Sequence, residues 1–232
     1  MINCVTSHLN FKFLILMALW AAPIWKAQAK VSPEPFVIAV LDAGPETEHE
    51  KKIQEVIKTE IHSCVECKTI SFPIYNKSGD LYEKQFLKSI ALAQKSSARV
   101  INLSWNMPYE KHFDKIILAL SRLAQLKNKI LVVSAGAPTG AVVTAPLSES
   151  VIGKVKDAII IGEKGDRGQL VSQSWYGPEI FTLVRNEKYR GSSFSSAEFS
   201  GKLLKTWSLD RKASKETVLK KMKQEFPTEL TR

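Results

Sequence analysis

Short apolar runs recur along this chain, and a segment with helical periodicity follows nearly every one. The runs are Phe36–Leu41 (FVIAVL), Arg99–Ser104 (RVINLS), Lys129–Ala135 (KILVVSA) and Asp157–Gly162 (DAIIIG), with one further strand predicted at Lys68–Tyr75. Runs of this kind are typical of strands buried on both faces, because a strand with one solvated face alternates apolar and polar residues. They indicate a parallel sheet inside the molecule.

The intervening segments carry apolar residues three and four positions apart, the spacing of one face of a helix. This pattern predicts helices at Thr47–Ile61, Leu81–Ser97 and Pro108–Lys127, another beginning at Gly191, and a last one at Glu216–Phe226. Thr47, with Glu50 three residues later, has the signature of a capping box. The alternation of strands and helices predicts an α/β fold with a doubly wound, mostly parallel sheet and helices on both faces.

The N-terminal segment 1–29 has the features of a secretory signal peptide. Lys12 precedes the apolar run Phe13–Trp25, and the tripeptide Ala-Gln-Ala at 27–29 has small residues at both positions that a signal peptidase reads. The run has 13 residues, whereas a membrane-spanning helix needs about 20; a retained anchor is the alternative. We therefore expect one domain over residues 30–232, exported to the secreted or periplasmic space, with no membrane span after signal removal.

The chain is basic, but its charge is dispersed. Removal of residues 1–29, which contain two lysines, lowers the formal net charge from +10 to +8. The densest basic run, Ser208–Lys223, mixes lysines with acidic residues, as a solvated helix face does. We expect no nucleic-acid partner, and we expect a monomer.

Cys64 and Cys67 form the sequence Cys-Val-Glu-Cys. Export would place them in an oxidising compartment, so a disulfide is the first expectation, with unpaired thiols and a redox or metal-binding pair as alternatives. A metal site would need two more ligands, and the sequence has no second Cys-x-x-Cys and no His-x-x-x-His. We expect no metal and no cofactor.

Five segments, in the same order, resemble motifs of the subtilisin-like serine proteases, the subtilases. FVIAVLDAGPETEHE resembles the strand with the catalytic aspartate, RVINLSW the substrate-binding strand, KILVVSAGAPTG the oxyanion-hole strand, SQSWYGPEIFTLV the Phe-Ser-x-x-Gly-Pro stretch, and YRGSSFSSAEFSG the nucleophile segment. The resemblance covers about Pro35–Trp207. It implies a subtilisin-like three-layer α/β/α fold and serine-type endopeptidase activity on peptides bound in an extended conformation.

The resemblance also implies catalytic roles. Asp42 matches the triad aspartate, and Ser193 matches the nucleophile at a helix N-terminus, where the helix dipole favours developing negative charge. A serine hydroxyl needs a general base, and His49, in the first turn of the helix after Asp42, is the candidate; His62 is a poorer one. The alternatives are that Asp42 caps the following loop, that Ser193 is an N-cap hydroxyl, and that His49 is a solvated histidine.

The substrate-binding residues implied are Ser104, whose backbone would pair with the peptide, together with Gly136 and Ala137. The chain lacks the His-Gly-Thr-His motif of the family, and Ala137 replaces the oxyanion asparagine. Removal of such a donor lowers turnover by on the order of 10²–10³. Two functions therefore remain open: an endopeptidase with impaired catalysis, and a catalytically inactive subtilase-fold module that binds extended peptides or a partner protein through Ser104.

Overall fold

The computed structural model of the chain describes residues 34–76, 78–138, 145–171 and 173–227. The signal peptide predicted at residues 1–29 lies outside these ranges. Within them, no helix is long and apolar enough to cross a membrane.

A parallel sheet forms the centre of the molecule. The strands of the described residues are β1 (Phe36–Asp42), β2 (Cys67–Pro73), β3 (Val100–Leu103), β4 (Ile130–Ser134), β5 (Ala145–Pro146), β6 (Ile159–Glu163), β7 (Trp175–Tyr176) and β8 (Ile180–Val184). Six of them form one sheet in the order β2-β1-β3-β4-β6-β8, with every pairing parallel, and β5 pairs with β7 separately. Strand β2 lies on one side of β1, and all later strands of the sheet lie on the other side. The strand order therefore reverses between β1 and β3. At such a point a doubly wound sheet has a crevice at the carboxyl ends of its strands.

Helices cover both faces of the sheet. They are α1 (Glu48–Ile61), α2 (Glu83–Lys95), α3 (Asp114–Ala124), α4 (Ser192–Leu209) and α5 (Lys215–Glu225). Side chains of β1 alternate between the two layers: Ala39 and Leu41 join the core under α2 and α3, whereas Ile38 and Val40 join the core under α1, α4 and α5. The predicted fold class, a doubly wound α/β/α sandwich, is confirmed.

Two elements differ from the sequence prediction. The third helix was predicted to begin at Pro108, but α3 begins at Asp114, after a single 3₁₀ turn. Pro108 instead forms an isolated bridge with Ser150, because this segment pairs with a neighbouring loop before the helix starts. Strand β8, with the sequence IFTLV, was not predicted as a strand and forms the edge of the sheet beside β6.

Candidate active site

The carboxyl ends of β1 and β3 lie side by side and bring two of the predicted residues to one crevice. Leu41 and Leu103 are in register in neighbouring strands, so Asp42, which ends β1, and Ser104, which follows β3, lie at the same edge. A cleft of about 760 Å³ opens there, and Asp42, Ser104 and His49 all line it. This edge is therefore the candidate active site.

Asp42 and His49 form a direct pair in this cleft. The Nδ1 atom of His49 lies 3.0 Å from Oδ1 of Asp42, and the backbone N–H of Ala43 donates to the same oxygen at 2.6 Å. Because a carboxylate can only accept, Nδ1 carries the proton, and in a neutral ring Nε2 is then the unprotonated nitrogen. The hydrogen bond to Asp42 raises the pKa of His49, partial burial of the ring opposes it, and the negative charge of Asp42 adds to the rise.

The first turn of α1 holds His49 in this position. Thr47 is the N-cap and accepts the N–H of Glu50 at 3.3 Å, which is half of the predicted capping box. The other half is absent, because the Oε2 atom of fully buried Glu50 accepts the N–H of Gly44 at 2.7 Å instead. Gly44 has φ +116°, a conformation that favours glycine. Glu50 thus ties the loop after Asp42 to the helix, a role that the sequence did not reveal.

Ser193 lies in the first turn of α4. The N-cap is Gly191, with φ +123° and no side-chain cap. Ser193 is therefore not the N-cap residue, which was the alternative interpretation of its hydroxyl. The Oγ atom of Ser193 is 3.5 Å from the carbonyl oxygen of Ser104, at the limit of a hydrogen bond. The neighbouring Phe194 ring lies 5.7 Å from the His49 ring, centroid to centroid.

The three proposed catalytic residues are thus only partly assembled. Asp42 and His49 are in contact and line the cleft, whereas Ser193 contacts Ser104, which also lines it. Within the described part of the chain, no hydrogen bond joins Ser193 to His49.

The helices that carry His49 and Ser193 pack tightly against each other. Gly201 of α4 faces α1, and a Cβ atom placed on Gly201 would lie 2.6 Å from Cβ of Glu60 and 3.3 Å from the carbonyl oxygen of Ile57. Only glycine permits so close an approach of the two helices. The distance between their first turns therefore depends on this contact.

Gly136 and Ala137, the residues predicted to lie on the oxyanion side of the site, follow strand β4. Gly136 lies near the start of the loop after β4 with φ +73°, and its N–H donates to Oγ of Ser192 at 3.0 Å. Ala137 follows and is exposed, with a methyl side chain that offers no donor. The backbone N–H of Ser193 belongs to the first turn of α4, where a helix leaves N–H groups without an intrahelical acceptor.

The side chain of Ser104 is engaged inside the protein. Its Oγ accepts a hydrogen bond from Asn102 at 2.8 Å and contacts the carbonyl oxygen of Ser193 at 3.3 Å. These contacts fix the backbone at the end of β3. Backbone pairing of Ser104 with a bound peptide stays a prediction.

The remaining predicted residues lie away from the cleft. Cys64 and Cys67 are joined by a disulfide in the turn between α1 and β2, at the amino ends of the strands. His62 is exposed just beyond the end of α1 and bonds to the carbonyl oxygen of Thr59 at 2.6 Å. Among the described residues, no three His, Cys, Asp or Glu side chains form a group that could hold a metal ion.

Comparisons with known proteins agree with this architecture. Solved structures similar to the chain include a cold-adapted subtilisin-like serine proteinase, at 12% identity and a TM-score of 0.61, with 81% of this chain and 80% of that chain covered. A lanthipeptide protease is similar at 14% identity and a TM-score of 0.65, with 80% and 79% covered. At these identities the likeness shows the fold alone. A search of curated proteins returned no match.

The sequence itself carries the family signal. The model of the Subtilase family matches residues 54–226, a span that includes Ser104 and Ser193 but begins after Asp42 and His49. It covers well over half of the 232 residues. The chain therefore belongs to the subtilase family.

Proposed function

We propose that this protein is an exported serine endopeptidase in which Ser193 is the nucleophile, His49 the general base and Asp42 the residue that orients the base. The observation that carries the proposal is the 3.0 Å contact between His49 Nδ1 and Asp42 Oδ1. This contact supports the assignment of His49 as the base and Asp42 as its partner, and Ser193 contacts Ser104, which lines the same cleft.

The chemistry follows from this arrangement. The Ser193 oxygen attacks the carbonyl carbon of the scissile bond while His49 Nε2 takes its proton, and the imidazolium then protonates the leaving amine. Asp42 holds the ring in the required tautomer and stabilises its positive charge. Water, activated by the same imidazole, hydrolyses the acyl-enzyme. The backbone N–H of Ser193 donates to the oxyanion, aided by its place at the N-terminus of α4.

We propose that turnover is slow. Ala137 gives no side-chain donor for the oxyanion, and the loss of such a donor costs on the order of 10²–10³ in rate. The same residue favours the second candidate function, a catalytically inactive subtilase-fold module that binds extended peptides or a partner protein. The two candidates differ in whether Ser193 forms a covalent bond.

Export to a secreted or periplasmic location is part of the proposal. The apolar segment within residues 1–29 supports it. The disulfide between Cys64 and Cys67 also supports it, because such bonds persist mainly in oxidising compartments.

The direct test is labelling with a fluorophosphonate, which reacts with activated serines. We expect it to label the mature protein, and we expect Ser193→Ala to abolish labelling. His49→Ala should remove most of the labelling, whereas His62→Ala, at the opposite end of α1, is the matched control and should label normally.

Two results would count against the proposal. If the folded protein stays unlabelled at high probe concentration yet binds extended peptides, the binding-module function is correct. If His49→Ala labels as fast as the unmodified protein, His49 is not the base.

A further inference from the structure

The cleft beside the His49–Asp42 pair extends well beyond these two side chains. Its walls come from the loop after β1, the end of β2 with the turn that follows, and the end of β3. The lining residues used below are Asp42, Glu46, Pro73, Tyr75, Ser104 and Trp105. A volume of about 760 Å³ is enough for one long side chain of a bound peptide together with its backbone.

The charged groups of this cleft are mostly acidic. Asp42 and Glu46 line it, and the described lining contains no lysine or arginine, so that His49 is its one basic group. Glu46 is exposed, and within the described residues it forms no hydrogen bond or ion pair. The charges of the described lining residues therefore favour a cation.

Asp42 provides a second and independent observation. Its side chain is 5% exposed, and Oδ2 has no hydrogen-bond partner in the described part of the molecule, although Oδ1 accepts two donors. A buried carboxylate oxygen without a donor is costly. The negative charge of Asp42 also acts on Tyr75 in the wall of the cleft. It contributes to the raised pKa of Tyr75, after the larger effect of burial.

Other parts of the cleft wall are apolar. Pro73 and Tyr75 form one side and Trp105 another. Trp105 is 7% exposed and is held edge-on by the Phe86 ring at 5.0 Å. A long aliphatic stem can pack against such walls while its charged end reaches a carboxylate, which is how lysine and arginine side chains bury themselves.

We propose that this cleft binds a lysine or arginine side chain of the extended polypeptide substrate, with Glu46 as the contacting carboxylate. The inference rests on the proposed endopeptidase function and names its substrate class. Ser104 lines the cleft and also contacts Ser193, so the basic residue lies within a few positions of the scissile bond. An acidic side chain would meet two carboxylates there, and an uncharged one would leave their charge uncompensated.

The test uses fluorogenic peptides that are identical except at one position, which holds lysine, norleucine or glutamate. The position is moved stepwise through the four residues on each side of the scissile bond. At one of these positions we expect kcat/KM to follow the order lysine, norleucine, glutamate. Glu46→Gln should lower the lysine-to-norleucine ratio by about two- to fivefold, the effect of a solvent-accessible ion pair, and added salt should lower it as well.

Glu48→Gln is the matched control. Glu48 lies two residues away in α1, is exposed and does not line the cleft. It should leave the ratio unchanged. An absence of lysine preference at every position would overturn the inference, as would equal losses in Glu46→Gln and Glu48→Gln.

A second measurement separates this inference from the function on which it rests. Fluorescence anisotropy records binding of the labelled, uncleaved peptides to the full mature chain with Ser193→Ala. Selective binding of the lysine peptide, lost in the double variant with Glu46→Gln, supports the inference even if the Ser193 enzyme cleaves nothing. Cleavage by that enzyme without any lysine preference in rate or binding overturns the inference and leaves the proposed function intact.

Discussion

Asp42→Asn replaces a carboxylate by an amide of nearly the same shape, and the existing hydrogen bonds determine how the amide is placed. One oxygen, Oδ1, accepts both the Ala43 N–H and His49 Nδ1, while Oδ2 has no partner among the described residues. The amide oxygen therefore takes the place of Oδ1 and keeps both donors, and the NH₂ group takes the place of Oδ2. His49 keeps the tautomer that catalysis needs.

The magnitude of the rate loss follows from this placement. A hydrogen bond to a charged acceptor is worth about 1–2 kcal/mol more than one to a neutral acceptor, which corresponds to a roughly 5- to 30-fold loss in rate. In a triad where the same substitution imposes the wrong histidine tautomer, the catalytic rate falls about 10⁴-fold. The pKa of His49 should fall as well, because the hydrogen bond to Asp42 is the largest cause of its elevation. The acid limb of the pH profile should then move to lower pH.

The same shift predicts how stability depends on pH. A histidine whose pKa is raised by folding stabilises the protein below its unfolded pKa of about 6.5, and this contribution is lost as pH rises through the folded pKa. Since the His49 side chain is 43% exposed, screening reduces the contribution to about 0.5 kcal/mol. Asp42→Asn should therefore lose more stability at about pH 5.5 than at pH 8.

The assay is the second-order rate of fluorophosphonate labelling between about pH 5 and 9, with urea unfolding at both ends of the range. Glu48→Gln serves as the control, because it removes a carboxylate next to His49 that makes no hydrogen bond to the ring. The reasoning is refuted if Asp42→Asn loses rate on the scale of a reversed tautomer. The reasoning is also refuted if the acid limb of the pH profile of Asp42→Asn does not move.

Three further substitutions test the framework around the site. Gly201→Ala should destabilise the protein by up to about 2 kcal/mol in urea unfolding. Overpacking against Cβ of Glu60 at 2.6 Å costs about 1–3 kcal/mol, and the gain in helix propensity offsets about 1 kcal/mol of it. Replacement of Cys64 and Cys67 by serine should cost about 2 kcal/mol, the loop-closure entropy of so short a loop, while leaving the labelling rate of the folded protein unchanged. Gly136→Ala should slow labelling, because its φ of +73° and a side-chain contact at 2.8 Å force the loop after β4 to move; normal labelling would contradict this.

The sheet was predictable from sequence because each buried parallel strand is itself a continuous apolar run, as in the segment that forms β1. Helix boundaries were less accurate where tertiary contacts replace local ones, as at Pro108, which pairs with a distant loop. The family resemblance led to the prediction of Asp42 and Ser193, and the helix position to that of His49; their catalytic roles stay predictions. The bond from Glu50 to the N–H of Gly44 was not predictable, because the sequence pattern favoured a local capping box and gave no sign that this side chain is fully buried.

The candidate triad is built by two mechanisms of different range. The Asp42–His49 pair is local: seven residues separate its members, and the loop and first turn between them fix its geometry. The position of Ser193 is set at long range, by the packing of α4 on α1 at Gly201. A change at Gly201 that moves the helices apart by roughly 1 Å, about what restores an ordinary carbon–carbon contact, therefore slows labelling but keeps the hydrogen bond between His49 and Asp42, which is the largest cause of the raised pKa of His49. A change at Asp42 alters both, so the two halves of the site are separable in a single pH–rate experiment.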